Sequence, residues 1–255
     1  MQASPWPSSL LLVRHGESAG NVARDRAEAD GDVMIDIASR DMDVPLSDLG
    51  HRQAGALGRW IGRLGEDERP SVVYTSPYVR ACETSRIALD AAGIDADSIH
   101  FVVDERLRER EFGVLDRLTR LGIKERYPEQ AEFRAHLGKF YHRPPGGESW
   151  ADVLLRLRSL VDTLTRECCD ERVLVVSHQV VVLMFRYVLE HLSEQEVLAI
   201  SADTELANCS VTSYRFDPGL LPHGGMALTR FNEVAPLEEE ATEVTTEPDV
   251  PAGKK

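Results

Sequence analysis

The chain reads as an α/β protein built around a mostly parallel sheet, and three observations carry that reading. Short apolar, β-branched runs alternate with longer amphipathic stretches. The strongest run, "RVLVVSH" (172–178), is continuously apolar, as a strand covered on both faces must be. At 255 residues, the chain has room for one large domain or two small ones.

Taken in order, "SLLLVR" (9–14) is the first strand, "SVVYTS" (71–76) the second and "IHFVVD" (99–104) the third. The run at 172–178 is the fourth and belongs near the centre of the sheet. "CSVTSYRF" and "MALTRFNEV" alternate in character and predict later, more peripheral strands. Between them, "PLSDLGHRQAGALGRWIGRL" has Ser47 as N-cap and places Leu49, Gln53, Ala56, Leu57, Trp60 and Leu64 near one face. "RACETSRIALDAAG" stops at Gly93, a C-cap residue. Ser149 and Asp152 open a further helix with a capping box, followed at helical spacing by Val153, Leu157, Leu160, Val161 and Leu164. "VVVLMFRYVLEHL", after His178, is apolar almost all round and predicts a deeply packed helix. Residues 22–44 show little periodicity and read as a surface excursion. Residues 105–148 hold charged helical pieces and close on a Pro-Pro-Gly-Gly turn, an insertion beyond the strand ends.

Composition narrows the function classes. Hydrophobic residues make up 42% and charged residues 28%, ordinary for a globular protein. No stretch approaches the run of about 20 apolar residues that spans a bilayer. The N-terminus lacks the pattern of a signal peptide, so the expected compartment is the cytoplasm and no membrane partner is expected. Four cysteines without C-x-x-C spacing read as free thiols. A formal net charge of -14 argues against nucleic acid as a partner. Much of the net excess of acid is local to 233–249, and composition reads 233–255 as a disordered tail after a single folded domain of residues 1–232. Oligomeric state is not legible in the sequence.

The strand ends carry the chemistry. In a parallel sheet, the crevice beyond the carboxyl ends of the strands is where ligands bind. The first strand ends in Arg14-His15, the second leads through "TSPYVR" to Arg80, and the fourth ends in Ser177-His178. At about 4 Å and an effective dielectric near 20, each pair of like charges in such a cluster costs about 4 kcal/mol. A tetrahedral anion between the groups removes that cost, and two guanidiniums suit a phosphoryl group. A neutral imidazole among arginines has a lowered pKa and keeps a nucleophilic lone pair near neutral pH. The first backbone N–H groups of the helix after His178, Gln179 included, add donors.

"RHGES" with Asn21 close behind, "SPYVRACET", "ERLREREFG" and "VLVVSHQ", in that order, resemble the histidine phosphatase superfamily in its phosphoglycerate-mutase-like branch. "PLSDLGHRQA" and "ANCSVTSY" fit the same pattern, and the resemblance covers residues 10 to about 216. It implies a three-layer α/β/α sandwich and a small phosphorylated substrate. His15 would be the nucleophile that becomes phosphohistidine, and Arg14, Arg80 and His178 would bind the phosphoryl group, with Asn21 and Ser18 at its edge. Glu109 would be the general acid and base, chosen over its neighbours Glu105 and Glu111. No metal or other cofactor is expected, because the arginines supply charge stabilisation. Gln179 departs from the glycine that many members have after the second histidine, and its side chain narrows the pocket. Glu17 is expected to be a structural partner for a nearby arginine or amide.

The resemblance leaves the fate of phosphohistidine open between water and a second hydroxyl. The paired-arginine segment of cofactor-dependent phosphoglycerate mutases is not found in "FGVLDRLTRLGIKERYPEQ", so hydrolysis is the expected reaction. Phosphoglycerate-mutase-type transfer is the alternative, and a non-catalytic phosphate-binding module ranks below both. Substrate recognition falls to residues 22–44 and 105–148. There Arg24, Arg26, Arg106, Arg108 and Arg110 either bind a second anionic group or balance local acids.

Overall fold

The computed structural model describes residues 6–246. The terminal residues 1–5 and 247–255 lie outside them, and with them the last part of the expected acidic tail and most of the N-terminal segment read for a leader. Among the described residues, six strands make one sheet and nine α-helices surround it. The order along the chain is β1 (Ser9–Arg14), α1 (Ala19–Asp30), α2 (Asp48–Arg63), β2 (Val72–Thr75), α3 (Val79–Ala91), β3 (His100–Val103), α4 (Arg120–Arg126) and α5 (Pro128–Leu137). Then come α6 (Trp150–Glu167), β4 (Arg172–Ser177), α7 (Gln179–Leu189), α8 (Glu194–Asp203), β5 (Val211–Asp217), β6 (Gly225–Glu233) and α9 (Ala235–Glu238).

The sheet order is β3-β2-β4-β1-β5-β6. β3, β2, β4 and β1 run parallel, whereas β5 is antiparallel to β1 and β6 to β5. Period-two geometry sends alternate residues to opposite faces. Leu10 and Leu12 of β1, with Tyr74, Val173 and Val175, meet Leu157, Val181 and Phe185 of α6 and α7. Leu11 and Val13, with Val73, Leu174 and Val176, meet Leu57, Ile61, Ala88 and Leu89 of α2 and α3. Each inner strand is therefore covered on both faces, which is why its sequence is an unbroken apolar run. This is the three-layer α/β/α sandwich, with a mostly parallel sheet.

Capping follows the sequence where the signals are local. Ser47 accepts a hydrogen bond from Gly50 N, and Ser149 and Asp152 form the reciprocal capping box. Gly93, one residue beyond the α3 cap, takes φ +70°, the left-handed value that glycine adopts without strain. A capping box of Ser193 and Glu196 starts α8, an element with no counterpart in the sequence reading.

Two segments differ from expectation. The supposed excursion at 22–44 begins with a regular helix, α1, capped by Ser18 and Asn21 and closed by Gly31 at φ +73°. Only Asn21 and Ala27 of its residues are buried, so it has almost no apolar stripe to read. The stretch from 233, read as an unpacked tail, is packed as far as Thr246. Leu237 is fully buried beside α2, Arg59 and Arg63 pair with Glu240 and Glu239, and Gln53 Nε2 donates to Glu243 O and Thr245 Oγ1. Composition counted the acids of this stretch without the arginines of α2 that face them. In the 105–148 insertion, Leu115, Leu118 and Ile123 form a small third core with Met34, Phe112 and Tyr127.

The turn after β1 is held against α2 at van der Waals distance. A Cβ built on Gly50 would lie 1.9 Å from the Glu17 carbonyl oxygen, so only glycine lets α2 approach this closely. Glu17 N donates to Gln53 Oε1, and Ser47 Oγ donates to Glu17 Oε1 at 2.5 Å. The Glu17 carboxylate is thus a structural partner, though of a hydroxyl rather than of the expected arginine or amide. Gly50→Ala should lower stability by about 1–3 kcal/mol, read as a lower urea midpoint with an unchanged slope.

Candidate active site

Register brings the site together. Arg14 of β1 lies beside Ser177 of β4, and Thr75 of β2 beside Val176. The next residues along, His15, Ser76 and His178, leave the sheet side by side. His15 N donates to Ser177 O (2.9 Å) and Ser76 N to Val176 O (3.0 Å). The antiparallel neighbour closes the other flank, with Cys209 N donating to Arg14 O (3.0 Å) and Asn208 Nδ2 to His15 O (3.0 Å). Gly16 N donates to Thr84 Oγ1 of α3. The loop holding His15 is therefore fixed by β4, α3 and the segment before β5 at once.

Arg14, His15, Arg80 and His178 are all buried, at 3%, 3%, 5% and 0% relative exposure. The two imidazoles meet edge to face with centroids 5.1 Å apart. His15 Nδ1 lies 2.7 Å from Gly16 O and Nε2 is 3.3 Å from Arg80 Nε. The carbonyl can only accept and the guanidinium can only donate, so Nδ1 carries the proton and Nε2 presents the lone pair. Burial first, then the charges of Arg80 and Arg14, hold His15 well below the ordinary histidine range. Its nitrogen stays unprotonated through neutral pH.

His178, the N-cap of α7, sits with Nε2 2.8 Å from Ser76 Oγ and Nδ1 3.6 Å from Glu109 Oε2. Its pKa is also lowered well below the ordinary value, by burial first and then by Arg80, His15, Arg156 and Arg14. The structure thus describes a neutral ring. A dianion brought against the ring would oppose these effects.

One cleft, with about 830 Å³ of atom-free space including its open mouth, is lined by Arg14, His15, Arg80, Glu109 and Gln179, with Ser18 and Asn21 on its wall. Of the expected residues, His178 stands one layer behind. Ser18 and Asn21 are engaged with each other, since Ser18 N and Oγ both donate to Asn21 Oδ1 and Asn21 N donates to Ser18 Oγ. Arg14 Nη1 donates to Leu206 O.

Several residues that shape the site carried no sequence signal. Asp41 places its carboxylate on Arg80, accepting from Nη1 at 3.0 Å and Nη2 at 3.3 Å. Its carbonyl takes a further bond of 2.6 Å from Nη1. Tyr78 stacks under the Arg80 guanidinium, 4.8 Å from the ring centroid, and meets His178 edge to face at 5.0 Å. Its hydroxyl donates to Glu111 Oε1. The loop with Glu109 is clamped by Arg156 of α6, which donates to the carbonyls of Arg106 (2.6 Å) and Glu109 (3.2 Å) and to Glu148. Glu148 also binds Arg108 and Glu111 N.

Of the five arginines singled out from sequence, Arg106 pairs with Asp104, Arg108 with Glu148 and Arg26 with Asp30. Arg110 lies over the Phe112 ring. Arg24 lines the cleft, joined there by Arg117. Among the described residues, no group of three or more His, Cys, Asp and Glu side chains is placed to hold a metal ion, and no helix is long and apolar enough to cross a membrane. The four cysteines are free thiols.

The fold is that of an α/β protein whose strand ends gather two buried arginines and two buried histidines at one cleft. Residues 10–222 match the model of the histidine phosphatase superfamily (branch 1), and the chain belongs to that family. It is 30% identical over 200 residues to a 2,3-bisphosphoglycerate-dependent phosphoglycerate mutase of Sinorhizobium fredii, covering 77% of this chain and 86% of the mutase. It is 35% identical over 176 residues to a 6-phosphofructo-2-kinase/fructose-2,6-bisphosphatase of Caenorhabditis elegans. That match takes in 69% of this chain but only 32% of the longer protein. Among solved structures, mycobacterial glucosyl-3-phosphoglycerate phosphatase in complex with VO3 superposes with a TM-score of 0.67. The two are 25% identical, and the match covers 89% of this chain and 100% of that one.

The two buried neutral histidines make a stability prediction. Each has a folded pKa below its unfolded value of about 6.5, so the unfolded chain binds more protons in acid. Their contribution is intact above about pH 6.5 and is lost as pH falls below it. Unfolding free energy measured from pH 7 down to pH 5 should fall. His15→Asn should remove about one proton of that linkage, up to about 1.4 kcal/mol per pH unit; an unchanged slope would show that His15 is not held neutral.

Proposed function

We propose that the protein is a phosphomonoester hydrolase that works through a phosphohistidine on His15. The observation that carries this reading is the fixed tautomer of His15, whose Nε2 lone pair lies beside Arg80 in a cleft also lined by Arg14 and Glu109. Arg14 and Arg80 hold the equatorial oxygens of the phosphoryl group, where charge must be stabilised as it transfers. His15 Nε2 forms a bond to phosphorus while the ester P–O bond breaks, and the leaving oxygen takes its proton from Glu109. The resulting Glu109 carboxylate then removes a proton from water, which attacks phosphorus. The N–P bond breaks, its electron pair returns to Nε2, and inorganic phosphate leaves. His178 backs the two reacting groups, Tyr78 supports His178 and Arg80, and Arg156 keeps the Glu109 loop in place.

Phosphoglycerate-mutase-type transfer is the second reading, favoured by the identity with the Sinorhizobium mutase. It requires that water be kept out and that a glycerate carboxylate be held. The open mouth of the cleft, with Asp41 and Asp116 on its lining, supports hydrolysis over transfer. A purely phosphate-binding role leaves Glu109, which lines the same cleft as His15, without a purpose.

Hydrolysis of p-nitrophenyl phosphate should persist in EDTA and be abolished by His15→Ala; activity that depends on added Mg²⁺ would overturn the scheme. Glu109→Gln should separate the two half-reactions. Nitrophenolate leaves without a proton, so this variant should release a burst of it, stoichiometric with enzyme, and then stall as phosphohistidine. Alkyl phosphates should show no burst. Equal losses on both substrate types would remove Glu109 from the acid role.

A further inference from the structure

The mouth of the cleft is built differently from its floor, and the difference bears on what the phosphate is attached to; this rests on the hydrolase reading above. The floor offers the two guanidiniums of Arg14 and Arg80. Toward the exposed side stand Asp116 and Arg117, with Arg24, while Asp41 rests its carboxylate on Arg80 between floor and mouth. Asp116 is exposed as a residue, yet its carboxyl is partly shielded from water. That shielding first, and then the charge of Asp41, raise its pKa, against the opposing pull of Arg117 and Arg24. Asp41 and Asp116 are therefore electrostatic neighbours.

A second anion on the alcohol side of an ester meets these two carboxylates, and Arg117 already donates to Ile37 O. A hydroxyl meets no such repulsion, because it donates to a carboxylate and accepts from a guanidinium. Gln179 provides an independent observation. The residue lines the same cleft and is 6% exposed, and its Oε1 is buried with no hydrogen-bond partner among the described residues. A buried acceptor without a donor carries a desolvation cost that an O–H group relieves. A carboxylate or phosphate dianion, which only accepts, cannot relieve it. Ile35, Ile37 and Phe112 give the walls apolar surface for the C–H faces of a ligand.

We propose that the outer half of the cleft recognises a neutral, hydroxyl-bearing alcohol, so that the substrate is a polyol or sugar phosphate with no carboxylate or second phosphate beside the ester. Asp41, Asp116 and Gln179 are then the residues that set specificity.

Glycerol 3-phosphate and 3-phosphoglycerate provide a matched pair, since one carries CH₂OH where the other carries a carboxylate. Calorimetric titration of both into His15→Ala reads binding whether or not the wild-type protein hydrolyses either ester. Glycerol 3-phosphate should bind roughly tenfold more tightly, and adding Asp41→Asn and Asp116→Asn should reduce that ratio to about threefold or less. Freeing Arg80 from Asp41 strengthens both esters alike, so the ratio isolates the carboxylate effect. The proposal is overturned if 3-phosphoglycerate binds as tightly or more so, if the ratio survives the double substitution, or if neither ester binds at millimolar concentration. Should His15→Ala fail to fold, competition of the two esters against p-nitrophenyl phosphate in the wild-type protein gives the same ratio. A preserved preference without any hydrolysis would sink the hydrolase reading alone, whereas hydrolysis with the reverse preference would sink only this inference.

Discussion

Burying two guanidiniums against two imidazoles is the constraint around which the rest of the molecule is arranged. A guanidinium keeps its charge in proteins, so the groups packed against Arg14 and Arg80 must either stay neutral or bring negative charge. Both histidines take the first course. Asp41 takes the second, resting its carboxylate on the Arg80 guanidinium, and Arg14 is tied to the Leu206 carbonyl. A phosphoryl group can exchange for these partners because it presents the same kind of acceptor oxygens with more charge.

The supports of this cluster come from widely separated parts of the chain. Strand register sets the spacing of the histidines, and the contact at Gly50 presses α2 onto the turn that follows His15. On the opposite side, the Arg156–Glu148 pair holds the Glu109 loop by its carbonyls and a backbone N–H. Preorganisation of this kind is what lets donors act on a transition state without first reorganising.

The strands, the capped helices and the cluster of Arg14, His15, Arg80 and His178 were legible in the sequence because each depends on local pattern plus one rule about strand ends. Other features depend on contacts that no local pattern encodes. Asp41 looks like any loop acid until the fold brings it to Arg80, and Tyr78 becomes part of the site only because His178 arrives from a strand about a hundred residues later. α1 was missed because a helix that buries so little leaves almost no periodic stripe. The acidic C-terminal stretch was misread because its counter-charges, Arg59 and Arg63, lie on α2.

That stretch reaches closer to His15 at Thr245 than its position in the chain suggests. Thr245 accepts from Gln53, which holds Glu17 N, and donates through its hydroxyl to Asn208 Oδ1, whose amide in turn binds the His15 carbonyl. Thr245 is therefore tied to the backbone of the His15 loop from two directions. Cutting the chain ahead of Glu243 would thus take away part of the mounting of His15.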